Sequence, residues 1–397
     1  MRREGHIRQR SPGSWELRYS VDTEQATGKR RIATATIRGS RKAAEKELRR
    51  LLKTVDDNEH VDASRMTVAQ WLRSWLEAVK TEVSPKTSER YGEVVENFLV
   101  PELGGLLIGK LAPIHLQKAY TKWATGGRRD GKDGGLAPRT RRHMHRILKT
   151  ALTRAVEQQV IARNPADALK KRLPKVERRS MTTLDTEQAA QLLRAIRHTR
   201  VYWPALLALA TGARRGEVLA LRWRNVDLQR GTLSVVESLE QTQAGLRFKA
   251  PKTEKVRNVS LPAFAIDELR RLKLAQAEDL LRLGVRQTGA TLLCARADGE
   301  PLQPRSLTHE FARLVRQAKD LPRLRFHDLR HSHATQLLAA GVHPKVAQER
   351  LGHSTITTTL DLYSHVTDTM QEDAATRLDA VLGGAIRGQP AKIGGIR

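Results

Sequence analysis

The chain has 397 residues, which is long for one ordinary domain and predicts two or three. It holds 71 lysines and arginines against 43 aspartates and glutamates, a net charge of +28. This charge indicates a polyanionic partner, with nucleic acid the first candidate and an acidic membrane surface the second. No apolar run is long enough to span a membrane, and the first residues show no signal-peptide core. The single Cys294 excludes an internal disulfide and a four-cysteine zinc site, so we expect a cytoplasmic protein.

Residues 1–58 are predicted to form a small basic domain, a three-stranded sheet backed by a helix. Alternating polar and apolar residues at 14–20 and 31–37 indicate two of the strands, and residues 27–29 have turn chemistry. Ser40 is placed to cap the helix that follows. The excess of basic residues predicts DNA contact, although a solvated charged face on a packing module would also explain it. The candidate contact residues are Arg18, Arg30 and Arg31.

Residues 64–170 are predicted to form an all-helical domain. Thr67 and Gln70 have the spacing of a capping box, which starts its first helix. Apolar periodicity predicts further helices over about 85–99, 113–123 and 138–161. The last of these has one basic face, which is typical of a helix that lies on DNA, although a solvated face would also carry such charges. The candidate DNA contacts on it are Arg139, Arg141, Arg142 and Arg146.

The segment 171–181 is predicted to be a linker, because it is highly charged, poor in apolar residues and contains Pro174. Its Lys171 and Arg172 are further candidates for phosphate contacts. A loop at 126–132 (GGRRDGK) matches part of a nucleotide-binding loop. However, Asp133 follows it instead of serine or threonine, and no apolar strand precedes it. We therefore interpret this loop as flexible and basic, not as part of an ATPase.

Residues 182–385 are predicted to form the largest domain, followed by a tail at 386–397. The patterns predict helices over 186–196 and 203–210, with a third opening within 211–217. Short strands are predicted over 232–237, 246–249 and 256–261, and helices from 263 onward. The predicted class is thus a multidomain, mainly α protein with small β-sheets.

Two pairs of residues in this domain have the spacing of one helix face. Arg214 and Glu217 lie three apart at a predicted helix start, where the carboxylate can orient the guanidinium and the helix end favours a phosphate. His327 and Arg330 are also three apart. An arginine can donate to two phosphate oxygens at once, and a histidine can transfer a proton near neutral pH. Taken alone, the first pair would be explained by an ordinary intrahelical ion pair.

Three further residues would complete a site for phosphoryl transfer. Lys252 lies in a turn between predicted strands, His353 follows a predicted helix, and Tyr363 comes ten residues later. A phenol has a pKa of about 10, so it needs nearby cations to act as a nucleophile at neutral pH. In isolation, a surface lysine and a buried core tyrosine are the simpler interpretations. His331 and His333 lack a third ligand at a metalloprotease spacing, so no metal site is predicted.

Taken together, four segments resemble the signature motifs of the tyrosine recombinase, or phage integrase, family. They are residues 210–217 (ATGARRGE), 251–253 (PKT), 327–331 (HDLRH) and 351–365, which begins LGH and ends YSH. The resemblance covers the whole C-terminal domain. It extends more loosely to the helical domain, which ends in IARNPA at 161–166. Residues 1–58 are similar to the arm-site-binding domain of phage-type integrases.

The resemblance implies that the scissile phosphate is bound by cationic side chains. Arg214 and Arg330 would hold its non-bridging oxygens, and His353 would donate a further hydrogen bond. Glu217 would support Arg214. With these groups neutralising charge, the reaction would need no metal ion, and no cofactor is expected.

The resemblance also implies the proton transfers. Tyr363 would attack the phosphate, Lys252 would protonate the leaving 5′ oxygen, and His327 would assist proton transfer at the tyrosine. The resulting 3′-phosphotyrosine conserves the energy of the phosphodiester, so ATP is not required. Tyr363 stands ten residues after His353, whereas many family members have nine, which blurs comparison of the tyrosine segment.

The partners implied are double-stranded DNA attachment sites, in a nucleoid-associated protein that integrates and excises a mobile element. Four protomers would exchange strands on two synapsed sites through a Holliday junction, with a directionality factor and a DNA-bending protein as possible accessories. The apolar residues of a predicted helix over 367–382 would dock on a neighbouring protomer. Two alternatives remain: a topoisomerase IB-like enzyme, and a DNA-binding regulator without catalytic activity.

Overall fold

A computed structural model describes residues 5–23, 30–56, 65–177, 181–251, 256–360, 375–376 and 378–383, without the side chains of 21–23, 30–31, 53–56 and 358. The chain divides into two compact units, Met1–Glu177 and Arg178–Arg397. Each combines helices with small antiparallel sheets, so the predicted class is confirmed. Among the helices described, none is both long and apolar enough to cross a membrane.

The first unit begins with a three-stranded antiparallel sheet that is covered on one face by a helix. In chain order and in sheet order, its elements are β1 (Gly5–Ser11), β2 (Ser14–Thr23) and β3 (Arg30–Arg38), followed by the helix α1 (Arg41–Asp56). The period-2 pattern places Leu17 and Tyr19 in a small core with Leu48 of α1. Ser40 caps α1 by accepting the backbone N–H of Ala43 (3.3 Å), as predicted. The turn predicted at 27–29 lies outside the described residues.

The rest of the first unit is a helical bundle around one apolar core. Its α-helices are α2 (Val68–Val79), α3 (Pro85–Val94), α4 (Val100–Leu103), α5 (Pro113–Thr125) and α6 (Pro138–Glu157). The 3₁₀ turns are Ile108–Lys110 and Pro165–Arg172. A π-turn, Val95–Leu99, joins α3 to α4.

Local sequence signals set the ends of these helices. The predicted capping box at α2 is confirmed, because Thr67 Oγ1 accepts the Gln70 N–H (3.2 Å) and the Gln70 side chain accepts the Thr67 N–H (2.9 Å). The predicted end of the last helix at 161 is wrong, since α6 ends at Glu157. Gln159 has a φ of 59°, which no right-handed helix can contain.

The second unit has helices around a large apolar core and two small sheets. Its helices are α7 (Thr186–Ile196), α8 (Tyr202–Thr211), α9 (Arg215–Ala220), α10 (Ala263–Arg282), α11 (Pro304–Gln317), α12 (Asp328–Ala339), α13 (Pro344–Leu351) and α14 (Ile356–Leu360). A 3₁₀ turn spans Trp223–Asn225. Of the helix predicted over 367–382, only 375–376 and 378–382 are described, and they include part of a π-turn, Asp379–Gly383.

The strands of the second unit are β4 (Val226–Asp227), β5 (Thr232–Val235), β6 (Ser238–Thr242), β7 (Gly245–Lys249) and β8 (Arg257–Ser260). One antiparallel sheet has the order β4-β5-β8, and β6 pairs with β7 as a hairpin. The sequence pattern does not predict β6, because its residues (SLEQT) are mostly polar. Its pairing with β7 across the turn before Gly245 makes it a strand.

Helix α8 sets the position of Arg214, the first site residue in chain order. Its sequence is apolar all round (YWPALLALAT) and the helix is accordingly buried in the core. It ends at Gly212, whose φ of +66° turns the chain toward Arg214 and α9. A Cβ at Gly212 would lie 2.6 Å from both His333 Cδ2 and Leu351 Cδ2. Helices α12 and α13 therefore pack against a position that only glycine can occupy without displacement.

We expect Gly212→Ala to destabilise the second unit more than Gly284→Ala does. The φ values of the two glycines are similar, +66° and +72°, so alanine strains the backbone at either site by about 1–2 kcal/mol. A Cβ at Gly284 would meet nothing within 4 Å, so only Gly212→Ala adds a steric clash. The measurement is the free energy of unfolding in urea. Equal losses for the two variants would contradict the packing argument.

Candidate active site

Arg214 is held at the start of α9 by Glu217 and by a distant backbone carbonyl. Its backbone N–H donates to Glu217 Oε2 (2.8 Å), and its Nη1 donates to Glu217 Oε1 (2.9 Å). Its Nη2 donates to the backbone oxygen of Gly352 (3.1 Å). The contact expected between Arg214 and Glu217 is therefore present. About a quarter of the Arg214 side chain, 27%, remains exposed, so it can still meet a ligand.

Glu217 has a second basic partner, Arg257 on β8, which the sequence analysis did not identify. Arg257 Nη1 donates to Glu217 Oε1 (3.2 Å) and Nη2 donates to Oε2 (2.5 Å), while Nε donates to the backbone oxygen of Arg350 (3.1 Å). A signal for this contact was present in the alternation of β8. Arg257 lies two residues before the buried Val259, hence on the inward face, where a charged side chain needs a partner.

Arg330 is deeply buried, with 3% of its surface exposed. Its Nη1 donates to the backbone oxygen of Gly212 (2.6 Å) and its Nη2 to that of Leu351 (2.7 Å). These bonds connect the end of α8 and the end of α13 to α12. Arg330 thus reaches the same turn, at residues 350–352, as Arg214 and Arg257.

His353 directly follows this turn. Its backbone N–H donates to the Gln348 oxygen (3.1 Å), and its Nδ1 lies 2.9 Å from Thr359 Oγ1 on α14. His327 is exposed at the start of α12, and its ring meets that of His331 edge to face, with centroids 5.1 Å apart. The structure therefore brings His353 beside the arginines and places His327 on the helix that carries Arg330.

His333 is a buried structural residue. Its Nδ1 lies 2.7 Å from the Leu209 carbonyl oxygen, and its Nε2 accepts the Nε–H of Arg350 (3.1 Å). Arg350 also donates to the Ala210 oxygen (2.9 Å). Both ring nitrogens of His333 are therefore engaged in protein hydrogen bonds, which join α8, α12 and α13.

Positive charge exceeds negative charge in this cluster. Burial would raise the pKa of Glu217, but the hydrogen bond and charge of Arg257, with the bonds from Arg214, lower it to about 2. Burial, then the charge of Arg214, lowers the pKa of Arg330 to about 9, so Arg330 is still protonated at neutral pH. Among the described residues, Arg214 and Arg257 bond to the Glu217 carboxylate, whereas Arg330 bonds to backbone oxygens, so three guanidinium groups stand against one carboxylate. Such an excess of positive charge attracts an anion.

The imidazoles near the arginines are neutral at physiological pH. Desolvation, then the charges of Arg330 and Arg214, lowers the pKa of His353 to about 4. Desolvation and the neighbouring His331 and Arg330 also hold the pKa of His327 below its ordinary value. A neutral imidazole has one N–H donor and one acceptor nitrogen, so each ring can give or take a proton.

Of the six residues predicted to be catalytic, the structure brings together Arg214, Arg330 and His353, with His327 nearby. Lys252 and Tyr363 lie outside the described residues.

The predicted DNA contacts in the first unit occupy two separate surfaces. On α6, the side chains of Arg139, Arg142 and Arg146 are exposed, while Arg141 is half-buried and its Nε donates to the Leu136 oxygen (3.1 Å). Lys171 and Arg172 are exposed at the end of the 3₁₀ turn Pro165–Arg172.

The second surface is the open face of the N-terminal sheet, opposite α1. Arg18 is exposed there, and the side chains of Arg30 and Arg31 lie outside the described residues. The strand register adds Arg8 and Arg38 to this face. Sequence reasoning missed them because it did not locate β1, whose pairing with β2 defines the face.

Comparison with known proteins identifies the family. A sequence profile of the phage integrase family matches residues 182–370, and a profile of the phage integrase N-terminal SAM-like domain matches residues 67–124. Tyrosine recombinase XerC of Mycobacterium sp. (strain KMS) is 32% identical over 229 residues, which cover 55% of this chain and 69% of that protein. The chain belongs to the phage integrase family of tyrosine recombinases. It is therefore an enzyme of site-specific DNA recombination, in a family whose members cleave and rejoin DNA.

This recombinase also has a longer match. The tyrosine recombinase XerC-like protein of Caldanaerobacter subterraneus subsp. tengcongensis is 26% identical over 360 residues, 86% of this chain and 90% of that protein.

Solved structures share the fold of the recombinase. The Tn1549 transposon integrase in complex with a circular intermediate DNA has a TM-score of 0.66 at 23% identity, covering 79% of this chain and 100% of that one. The lambda integrase tetramer bound to a Holliday junction has a TM-score of 0.55 at 18% identity, covering 88% and 96%. These neighbours are integrases bound to DNA, and one of them is a tetramer.

Glu217 should give the recombinase a specific dependence of stability on pH. Its folded-state pKa of about 2 lies below the ordinary value of 4.5. The stabilisation is therefore complete above pH 4.5 and is lost as the pH falls toward 2, by about 3 kcal/mol in total. We expect Glu217→Gln to flatten the fall in the free energy of unfolding between pH 4.5 and 3, measured by urea titration.

The matched control for this prediction is Glu278→Gln, because Glu278 is an exposed glutamate on α10. It should keep the slope of the parent protein. Glu217→Gln should also lose about 3–5 kcal/mol at pH 7, because it leaves two arginines without their carboxylate. The prediction is wrong if both variants show the same dependence on acid pH as the parent.

Proposed function

We propose that Arg214, Arg330 and His353, which meet at the turn at residues 350–353, bind the scissile phosphate of a DNA attachment site. The observation that carries this proposal is the convergence of Arg214 and Arg330 on the carbonyls of Gly352 and Leu351, with His353 next in the chain. Two guanidinium groups held within one turn of backbone match the two non-bridging oxygens of a phosphodiester.

The charge of this site suits the transition state of phosphoryl transfer. Negative charge spreads over the equatorial oxygens as the phosphate is displaced, and preorganised cations stabilise it. Arg214 and Arg330 supply that charge in our proposal, while Glu217 fixes the orientation of Arg214. Hydrogen bonds already hold both arginines in position, so the binding of the phosphate requires little reorganisation of their side chains.

His353 is proposed to donate a hydrogen bond to the same phosphate. When the Thr359 hydroxyl donates to Nδ1 of His353, the ring proton sits on Nε2 and is available to an oxygen of the phosphate. A ring that is neutral in the free protein can do this without adding a charge to be desolvated. The approach of a phosphate would then raise its pKa.

The covalent steps are assigned to three residues. Tyr363 attacks phosphorus and forms a 3′-phosphotyrosine, while the 5′ oxygen departs and takes a proton from Lys252. His327, at the exposed start of α12, receives the phenol proton. Rejoining reverses these steps with a 5′ hydroxyl as the nucleophile. The support for this assignment is the match of sequence motifs, together with the cationic centre that a phenol nucleophile requires.

The first unit is proposed to recognise DNA. We propose the domains 1–58 for arm-type sites, 64–170 for the core site, 171–181 as linker, 182–385 for catalysis and 386–397 as tail. Exposed basic side chains support both recognition surfaces. Arg18 lies on the open face of the N-terminal sheet, and Arg139, Arg142 and Arg146 lie on α6.

We further propose that four protomers assemble on two synapsed sites, with a directionality factor and a DNA-bending protein as accessories. The tetrameric arrangement of lambda integrase on a Holliday junction supports this assembly. Leu378, Val381 and Leu382 are 59%, 65% and 49% exposed, which suits an apolar contact with a neighbouring protomer. Such an assembly would act on chromosomal DNA in the nucleoid and would integrate and excise a mobile element.

A nicked suicide duplex tests the catalytic proposal. The recombinase should form a covalent protein–DNA adduct that Tyr363→Phe abolishes and that Tyr91→Phe, in which the ring is kept, leaves unchanged. Arg330→Lys should slow adduct formation by about 10²- to 10³-fold, because one preorganised donor to the phosphate is altered. The readout is the adduct yield over time on a denaturing gel. DNA binding without any adduct would favour the regulator, and relaxation without recombination of paired sites would favour the topoisomerase.

The salt dependence of DNA binding tests the role of α6. Replacing Arg139, Arg142 and Arg146 with glutamine should reduce the slope of log K against log salt by about 2.7, since each phosphate contact contributes about 0.9. The control variant replaces three exposed, ion-paired arginines of α10 with glutamine, which removes the same amount of charge. They are Arg270, Arg271 and Arg282. Equal changes in slope would show that net charge, not this helix face, determines binding.

A further inference from the structure

Three arginines from different elements cap one helix end. Arg257 Nε donates to the Arg350 oxygen (3.1 Å), Arg330 Nη2 to the Leu351 oxygen (2.7 Å) and Arg214 Nη2 to the Gly352 oxygen (3.1 Å). The last carbonyls of a helix lack partners within the helix and form the negative end of its dipole. The C-terminal end of α13 therefore binds all three guanidinium groups through consecutive carbonyls.

Arg257 differs from the other two arginines in having no donor nitrogen left over. Its Nε binds the Arg350 oxygen, and its Nη1 and Nη2 bind the two oxygens of Glu217. Only 9% of its side chain is exposed, against 27% for Arg214. All three donor nitrogens of Arg257 are therefore used within the protein, whereas the Nε atoms of Arg214 and Arg330 make no hydrogen bond to the described residues.

Arg257 contacts both of the groups that hold Arg214. The first is Glu217, which Arg257 binds through a two-pronged ion pair. The second is Gly352, whose φ is +67°. A Cβ at Gly352 would lie 3.2 Å from Arg257 Cδ and 3.3 Å from Arg257 Nη1, so the arginine stem lies directly against this residue.

We propose that Arg257 is a positioning residue for DNA cleavage, which fixes Arg214 from behind through Glu217 and Gly352 without touching DNA. This inference rests on the proposed function, in which Arg214 binds the scissile phosphate.

The physical reason is that Glu217 shares its two oxygens between two arginines. Without Arg257, the buried carboxylate keeps Arg214 as its one hydrogen-bonded basic partner among the residues described around it. The carboxylate would then draw Arg214 inward, away from the phosphate. The pKa of Glu217 would rise, since Arg257 is the main cause that lowers it. Small displacements of a preorganised donor reduce the rate strongly, whereas affinity for DNA depends on many other contacts.

The experiment compares Arg257→Gln and Arg257→Lys with Arg230→Gln in the full-length protein. Arg230 is an exposed arginine, with 85% of its side chain accessible, in the turn between β4 and β5 of the same sheet. Adduct formation is measured on the nicked duplex at saturating DNA, and Kd is measured separately. We expect Arg257→Gln to cleave about 10²-fold more slowly with Kd changed less than about threefold, as for loss of an interaction felt in the transition state.

The Arg257→Lys variant separates the effect of hydrogen-bond geometry on the cleavage rate from the effect of charge. Lysine keeps a cation beside Glu217 and so maintains folding, but it cannot bind both carboxylate oxygens in a fork. We expect at least a tenfold loss of cleavage rate in a variant whose thermal midpoint stays near that of the parent. The double variant Glu217→Gln with Arg257→Gln should be slowed much less than the product of the two single effects, because one residue acts through the other.

The outcomes are distinguishable. If the parent protein forms no adduct, the proposed function fails. If the parent forms the adduct and both Arg257 variants cleave at the parent rate, the positioning role is overturned. It is also overturned if the loss of rate follows weaker DNA binding, or if neither variant folds, since Arg257 would then serve binding or stability alone.

Discussion

Like charges have to be kept close together at one end of α13, and the rest of the second unit is arranged around this requirement. Arg214, Arg257 and Arg330 come from the start of α9, from β8 and from α12. Mutual repulsion opposes their convergence, and one buried carboxylate, Glu217, offsets only part of it. Backbone carbonyls provide the remainder, because their lone pairs stabilise cations without adding a net charge. Two left-handed glycines, at the ends of α8 and α13, put those carbonyls in reach.

Much of this arrangement could be predicted from the sequence, because its signals are local. Spacings of three residues are enough to pair Arg214 with Glu217 and His327 with Arg330. The helix predicted over 186–196 has the bounds of α7, because a capping aspartate and a clear apolar period define it. Two strands of the N-terminal sheet and the helix that follows them could be recognised in the same way.

What could not be predicted depends on contacts between distant segments. Arg257 meets Glu217 across forty positions, and its other partner is a backbone oxygen, which has no side-chain signature. The polar strand β6 exists because of its pairing with β7, not because of its own residues. The basic face of the N-terminal sheet emerges only from the register between β1 and β2. Pairing and register are tertiary information, and propensity alone does not contain them.

The excess positive charge of the cluster also links the stability of the fold to the binding of an anion. Repulsion among the guanidinium groups works against the native state, and a phosphate bound as proposed would offset it. By mass action, an anion that binds these arginines raises the free energy of unfolding by RT ln(1 + [L]/Kd), which grows with the logarithm of its affinity. Under the proposed function, the positive charge that would bind the DNA backbone therefore also works against the folding of the protein on its own.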